Sequence, residues 1–259
     1  MSAGDYQKSL KLSEAEELLD RLIYRPAGFL VAIACRPLPV TPNQVTILSM
    51  AAGLAAAWSF TGGTRAGLAA GACWYAAANV LDCADGQLAR LRGGGSRFGR
   101  LVDGAADYIS TIAIFLALGL TQGWALAVAG GFSSALHAIV FDRVQGNYIA
   151  AAKGEGDFTE REARRTGEAL TERPGGAKAF FLRSYLAYLA LQQGGGGTPV
   201  SRRAMRLWSF LGPTTNRSLL IGCALAGRTD LYLWGVIIAG NCWLLVCLAA
   251  GRRPGGGKG

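Results

Sequence analysis

The stretch "LDCADGQLARLRGGGSRFGRLVDGAADY", from Leu81 to Tyr108, decides the fold of this chain. It carries four aspartates, while the sequence on either side of it is mostly apolar. The four are Asp82, Asp85, Asp103 and Asp107. An unpaired carboxylate in a low-dielectric setting costs roughly several kcal/mol even after relaxation. We therefore expect a positive group to lie among these carboxylates.

The composition favours a membrane protein. Of 259 residues, 51% are hydrophobic and only 17% are charged, whereas about a quarter is charged in a typical soluble domain. The mean hydropathy is positive. A buried soluble helical bundle is the alternative, and it explains six apolar segments in one short chain less well.

Six apolar segments predict an all-α integral membrane protein with six transmembrane helices. They cover residues 45–62, 66–81, 102–120, 124–141, 208–226 and 231–250. A helix needs about 20 apolar residues to cross a bilayer, and most of the segments approach this length. The second is short if it ends at Asp82, so we expect its helix to continue through the motif. Abundant Gly and Ala favour close packing of membrane helices.

The distribution of Lys and Arg predicts the orientation. With six spans, one side of the membrane receives 23 of these residues and the other receives only Arg65 and Arg228. Basic residues accumulate on the cytoplasmic face. We therefore expect both termini, the aspartate motif and the 143–206 loop to be cytoplasmic. The net charge of +9 then suits anionic membrane lipids, and no module for nucleic acid is recognisable.

The sequence divides into three regions. We expect residues 1–40 to form a cytoplasmic N-terminal segment, residues 41–251 to form a six-helix transmembrane domain, and residues 252–259 to form a flexible tail. Residues 13–36 predict an amphipathic helix on the membrane surface, with Ser13 as N-cap and Glu16 as its capping-box partner. A short soluble helix is the alternative. "TPNQVT" then begins the first span.

The connection between the fourth and fifth spans, residues 143–206, is long. It combines charged helix-like sequence with the aromatic stretch "AFFLRSYLAYLALQQ" and a run of four glycines. Aromatic residues and leucines beside arginine suggest a second surface-lying helix, and a disordered connector is the alternative. The six cysteines lack a C-x-x-C pattern. We expect them to be small apolar fillers rather than a disulfide or zinc framework.

The spacing of the aspartates predicts a metal site. Asp82 and Asp85 are three residues apart, and Asp103 and Asp107 are four apart, so each pair lies on one face of a helix. The short connection "RLRGGGSRFG" predicts that the two helices are antiparallel neighbours. Hard oxygen ligands suit Mg²⁺, Mn²⁺ or Ca²⁺. Two ions about 4 Å apart can clamp a pyrophosphate.

Neighbouring residues fit such a site. Gly86 and Gly99 leave space for a ligand, Ala89 is small, and Arg90 can contact phosphate. Two alternatives remain open. The chain can be a transporter with intramembrane carboxylates, or the aspartates can merely form ion pairs. The arginines available for such pairs are Arg90, Arg92, Arg97 and Arg100.

The full spacing, D-x-x-D-G-x-x-A-R-x8-G-x3-D-x3-D, resembles the signature of the CDP-alcohol phosphotransferase family. Every fixed position is matched, at Asp82, Asp85, Gly86, Ala89, Arg90, Gly99, Asp103 and Asp107. The resemblance extends to a six-span core with a juxtamembrane helix and to "TPNQVT". It implies an integral membrane enzyme that moves a phosphate-containing group from a CDP-linked donor to an alcohol, releases CMP, uses Mg²⁺ or Mn²⁺ (two ions) and forms a homodimer.

The resemblance also implies residue roles. Asp82, Asp85 and Asp103 would hold the metal ions, and Asp107 would be a further ligand or the general base. The remaining implied contacts are to the CDP moiety. They involve Gly86, Ala89, Arg90 and Gly99, with Thr46 and Asn43 close to the pyrophosphate.

The acceptor is predicted from basic residues. Arg143, Lys153, Arg206 and Arg217 flank the fourth and fifth spans, and a phosphate monoester accepts bidentate bonds from arginine. We expect a phosphorylated polyol, such as inositol phosphate or glycerol phosphate, to receive a lipid group from CDP-diacylglycerol. In the alternative, a CDP-amino-alcohol is the donor to a lipid alcohol, and His137 assists as a base. A metal-dependent prenyltransferase would lack the A-R-x8-G spacing.

Overall fold

The computed structural model describes residues 3–10, 15–94, 97–172, 174–192 and 200–251. Every regular element in these ranges is a helix, and no strand occurs in them. The predicted all-α fold is therefore confirmed. The tail 252–259, the N-cap Ser13 and the four glycines at 194–197 lie outside the described residues.

A helical segment occurs at each of the six predicted apolar positions. The six are α3 (Pro42–Phe60), α4 (Arg65–Leu91), α5 (Arg97–Gln122), α6 (Trp124–Ala152), α10 (Pro213–Leu225) and a final rod from Thr229 to Gly251. The rod consists of α11 (Thr229–Trp234), a π-helical segment (Gly235–Gly240) and α12 (Asn241–Gly251). As expected, the second helix continues through the aspartate motif.

Three of the described helices are long and apolar enough to cross a membrane. They are Gly99–Gln122, Trp124–Ala152 and Thr229–Ala250. Helix α10 has only 13 residues, which is short for a span because a bilayer needs about 17 to 25 helical residues. Three candidate spans thus occur in the described part of the chain, and the six-span arrangement stays a prediction.

The stretch "TPNQVT" begins α3, as predicted from the sequence. The Thr41 hydroxyl accepts a hydrogen bond from the Gln44 backbone N–H at 3.3 Å, and the Gln44 side chain accepts from the Thr41 N–H at 2.7 Å. This reciprocal capping box satisfies two backbone donors that have no partner within the helix. Pro42 occupies the first helical turn, where its missing N–H costs nothing.

Helix α3 is the main packing partner of both motif helices, α4 and α5. We expected α4 and α5 to be direct neighbours, but they make few contacts with each other. Glycines let α3 approach on each side: a Cβ at Gly71 of α4 would overlap the Phe60 ring, and a Cβ at Gly53 would lie 2.7 Å from the Ser110 hydroxyl of α5. The two helices instead meet at their aspartates, and these small residues let each of them pack closely on α3.

The N-terminal segment has its polar face inward. It comprises α1 (Ala3–Ser9), a π-helical segment (Asp20–Tyr24) and α2 (Arg25–Cys35). Leu18, Leu22 and Ile23 are exposed, whereas Glu16, Glu17 and Asp20 are buried. Glu16 lies just before the helix and pairs with Arg25 at 3.3 Å. Its predicted capping-box partner, Ser13, lies outside the described residues, so that role stays a prediction. The outward apolar side is the one that a membrane surface would cover.

The 143–206 region is largely helical. Helix α6 continues past its predicted end at Phe141, and it is followed by α7 (Phe158–Thr171), α8 (Gly176–Gln192) and α9 (Arg202–Trp208). Tyr188 of α8 donates to Asp142 of α6 at 2.7 Å, and its ring meets Tyr108 of α5 edge-on at 6.0 Å. These contacts favour the predicted helix in the aromatic stretch over a disordered connector. All six cysteines are free thiols, as expected.

Candidate metal centre and active site

Three of the four aspartates converge. Asp82 and Asp85 project from α4 and Asp103 projects from α5, and one carboxylate oxygen of each lies within 4.8 Å of the other two. Asp85 is buried, and the other two are half-buried. The local helical spacing brings each pair to one face, and the packing of α4 and α5 on α3 brings the two faces together.

This donor set fits a hard divalent cation. Mg²⁺ binds oxygen at about 2.0–2.1 Å and Ca²⁺ at about 2.3–2.6 Å, so two ligand oxygens on opposite sides of one ion lie about 4 to 5 Å apart. Carboxylates held this close repel one another unless a cation lies between them. Asp82, Asp85 and Asp103 are therefore the residues that would hold a metal ion.

The Thr46 side chain supports this cluster from α3. Its hydroxyl donates to Oδ2 of Asp85 at 2.5 Å, and only 4% of the residue is exposed. Thr46 was predicted to lie near the CDP pyrophosphate. In the structure it orients a proposed metal ligand, a role of the kind that residues behind a metal site commonly have.

Arg217 of α10 lies inside the aspartate cluster. Its Nη2 is 2.7 Å from Oδ2 of Asp107, and its Nη1 is 3.5 Å from Oδ2 of Asp82. Only 12% of the arginine side chain is exposed. The sequence placed Arg217 among basic residues at the mouth of the site, whereas the structure places it among the carboxylates. Arg217 thus offsets part of their charge and links Asp107 of α5 to Asp82 of α4.

Asn79 is a site residue that sequence reasoning missed. Its Oδ1 accepts a hydrogen bond from Nη1 of Arg217 at 3.0 Å, and the residue is 3% exposed. Its Nδ2 is buried without a hydrogen-bond partner. The available signal was its position three residues before Asp82, which puts both side chains on one face of α4.

Arg90 contacts the N-terminal segment. Its Nε donates to the backbone oxygen of Ser9 in α1 at 2.5 Å, while its Nη2 is buried without a hydrogen-bond partner. A Cβ at Gly86 would lie 3.4 Å from the Arg90 guanidinium, so this glycine leaves room for the arginine. The CDP-binding roles of Gly86, Ala89, Arg90 and Gly99 stay predictions.

The alternative in which nearby arginines neutralise the aspartates is not what the structure shows for the described side chains. Arg92 donates to backbone oxygens between Cys35 and Val40, and Arg100 pairs with Glu162 at 3.7 Å. The Arg97 side chain lies outside the described part of the chain. Among the described side chains, the arginine that pairs with Asp82 and Asp107 comes from α10.

The other residues predicted to bind the acceptor differ in their exposure to solvent. Lys153 at the end of α6 and Arg206 of α9 are exposed, and Arg143 of α6 is half-buried. Their binding role stays a prediction. His137 is buried, and its Nε2 lies 3.1 Å from Oδ1 of Asn241 in the final rod. A Cβ at Gly240 would overlap its ring, so His137 packs between α6 and that rod.

Comparisons with known proteins agree with the motif. A phosphatidylinositol phosphate synthase of Mycobacteroides abscessus is 32% identical over 141 residues, which cover 52% of this chain and 57% of that protein. A protein of the same name from Mycobacterium tuberculosis is 42% identical over 81 residues, which cover 30% of this chain and 36% of that protein. The chain therefore spans about a third to just over half of the length of these relatives.

The family comparison covers more of the sequence. The pattern of CDP-alcohol phosphatidyltransferases matches residues 39–210, which include both motif helices and all four aspartates. The resemblance inferred from the spacing of eight residues is thereby confirmed. The chain belongs to the CDP-alcohol phosphatidyltransferase family.

Proposed function

We propose that this protein transfers a phosphatidyl group from a CDP-linked lipid, CDP-diacylglycerol, to the hydroxyl of a polar acceptor and releases CMP. The observation that carries the proposal is the convergence of Asp82, Asp85 and Asp103 on one point in a chain of this family. Metal ions held by such a cluster would suit a diphosphate donor, because its negative charge needs cations to balance it at low dielectric.

The proposed reaction is a displacement at phosphorus. The acceptor oxygen forms a bond to the phosphorus that carries the lipid, the bond from that phosphorus to the CMP oxygen breaks, and the hydroxyl proton passes to a carboxylate. Mg²⁺ or Mn²⁺ ions, when bound, would neutralise the diphosphate and stabilise the leaving group. Asp107 is the proposed proton acceptor, and the bond from Arg217 at 2.7 Å would orient it.

A phosphorylated polyol is the proposed acceptor. Two observations support it: the relatives are named phosphatidylinositol phosphate synthases, and Arg217 lies beside the carboxylates. Arg143, Lys153 and Arg206 are the further residues proposed to bind the acceptor phosphate. The amino-alcohol alternative relied on His137, which is bonded to Asn241 instead.

The substrates can be tested directly with purified protein. We expect Mg²⁺- or Mn²⁺-dependent CMP release from CDP-diacylglycerol with inositol phosphate or glycerol phosphate, and little with inositol, glycerol, serine or choline. Mass spectrometry of the lipid identifies the product. Equal use of phosphorylated and unphosphorylated alcohols would contradict the acceptor proposal. A metal-dependent uptake activity without CMP release would favour the transporter alternative.

We further propose that all six helical segments at the apolar positions cross the membrane, with the N-terminal segment on its surface and the aspartate site facing the cytoplasm. Two observations support this: the 23-to-2 division of Lys and Arg and the outward apolar face of residues 18–23. A homodimer is proposed from family resemblance.

Cysteine labelling of intact cells tests the orientation. In a variant without native cysteines, Glu160→Cys, at an exposed position of α7, is expected to be protected from a membrane-impermeant maleimide until the cells are permeabilised. Gly62→Cys, in the exposed turn between α3 and α4, is the matched control and should label in intact cells. Labelling of the Glu160→Cys variant from outside would contradict the six-span arrangement. A cysteine near Gly194 should behave as the one at position 160 does.

A further inference from the structure

Helix α10, which carries Arg217, has no cap of its own. Its N-cap is Gly212 and its first residue is Pro213, so no side chain at the N-cap accepts a hydrogen bond from its first turn. The first backbone N–H groups of a helix lack partners within the helix and must find them elsewhere. In α10 the partner comes from the N-terminal segment.

The Glu17 carboxylate supplies this cap from almost 200 residues away. The N–H of Thr214 donates to Oε1 at 3.1 Å, and the N–H and hydroxyl of Thr215 both donate to Oε2 at 2.7 Å. Glu17 is 2% exposed. A Cβ at Gly212 would overlap the carboxylate, so the glycine is required for this approach.

Two further contacts hold the same two surfaces together. Oδ1 of Asp20 accepts from the Thr214 hydroxyl at 3.0 Å, and the Tyr24 hydroxyl lies 3.0 Å from the Ser218 hydroxyl. Asp20 and Tyr24 follow Glu17 by three and seven residues, so one helical face of the N-terminal segment docks on the first turns of α10. These contacts flank Arg217 in sequence on both sides.

We propose that Glu17 is a positioning residue, which sets the height and rotation of α10 so that the Arg217 guanidinium reaches Asp82 and Asp107. The residues of α10 that contact the N-terminal segment lie next to Arg217, because Thr215 precedes it by two residues and Ser218 follows it by one. A shift of the first turn therefore moves the arginine by a similar distance. If the atoms move apart by an ångström, the 2.7 Å contact with Asp107 is no longer a hydrogen bond, and the 3.5 Å ion pair with Asp82 is lost.

The inference rests on the proposed function only for its activity readout, because Mn²⁺ binding to the aspartates provides a second readout. Arg217 places a positive charge beside Asp82, and a cation nearby weakens the binding of another cation. Arg217→Ala is thus expected to tighten Mn²⁺ binding about tenfold while CMP release falls. If Glu17 acts through Arg217, Glu17→Ala should change both quantities in the same directions.

The decisive experiment is a double-mutant cycle in detergent at pH 8. Burial raises the pKa of Glu17 to about 7, with nearby Asp20 adding to the rise and the bonds from Thr215 and Thr214 opposing it, so the carboxylate is mostly ionised at this pH. We expect Glu17→Ala to lower kcat/KM at least about tenfold and to tighten Mn²⁺ binding. In the Arg217→Ala background, Glu17→Ala should change the Mn²⁺ affinity by less than about twofold, because the effects of substitutions at coupled residues are not additive.

The controls separate positioning from general damage. Ser201→Ala removes the side-chain cap of α9, where the serine accepts from the Ala204 N–H at 3.2 Å, and it should leave both readouts unchanged. Glu17→Gln keeps one oxygen acceptor and should give intermediate values. Weaker Mn²⁺ binding in Glu17→Ala would indicate a damaged fold, and independent effects in the double variant would mean that Glu17 does not act through Arg217. Either result overturns the proposal. Intact Mn²⁺ coupling without any CMP release would overturn the proposed function instead.

Discussion

Asp82→Asn and Asp103→Asn are each expected to lower CMP release from CDP-diacylglycerol by more than about a hundredfold. Loss of a residue that merely supports a metal ligand typically costs about 10- to 100-fold, and both aspartates are proposed as ligands themselves. An amide keeps the shape of the side chain but lacks the charge that holds a divalent cation. The measurement is initial-rate CMP release at saturating Mg²⁺ or Mn²⁺.

Asp230→Asn is the matched control. Asp230 is paired with Arg228 at 2.8 Å, at the start of the final rod and outside the aspartate cluster, so its substitution should leave the rate within about twofold because surface ion pairs contribute little. All variants should elute as the unaltered protein does in detergent. Turnover that persists in the unaltered protein after exhaustive chelation would contradict the proposed metal requirement.

Arg217→Ala is expected to lower kcat/KM by about a hundredfold or more and to change kcat as well as the acceptor KM. From the sequence alone, we would expect mainly a higher KM for a phosphorylated acceptor. The contacts with Asp107 and Asp82 add an effect on the proposed base and on a proposed metal ligand. Removing one partner of a fully buried ion pair costs about 3–5 kcal/mol of stability, and we expect a smaller loss here because the Asp107 side chain is 38% exposed.

Arg217→Lys separates these contributions. Lysine keeps the charge but cannot contact two carboxylates with a rigid planar group, so it should recover part of the stability and less of the rate. The measurements are kcat and KM for both substrates and the midpoint of thermal unfolding in detergent. An unchanged kcat with an altered acceptor KM would show that Arg217 binds only the acceptor. Unchanged kinetics would contradict any role in the site.

The sequence by itself determined the helical class, the positions of the six helical segments and the family. These properties could be predicted because they depend on residues that are close together along the chain. Apolar runs predict helices of membrane length, and spacings of three and four residues place Asp82 with Asp85, and Asp103 with Asp107, on shared helical faces. The capping box at Thr41 is local in the same way, since its partner is three residues away.

Only the tertiary structure decided which charges meet. Arg217 bonds to Asn79 across 138 residues, and Glu17 bonds to Thr214 across 197 residues, separations at which no periodicity links the partners. The packing of α4 and α5 on α3 could not be predicted from the sequence either. Gly53 and Gly71 are recognisable there only as small residues, and the structure is needed to show which side chains approach them. Long-range contacts depend on how helices approach one another. That approach is set by shape and burial over the whole chain rather than by any local pattern.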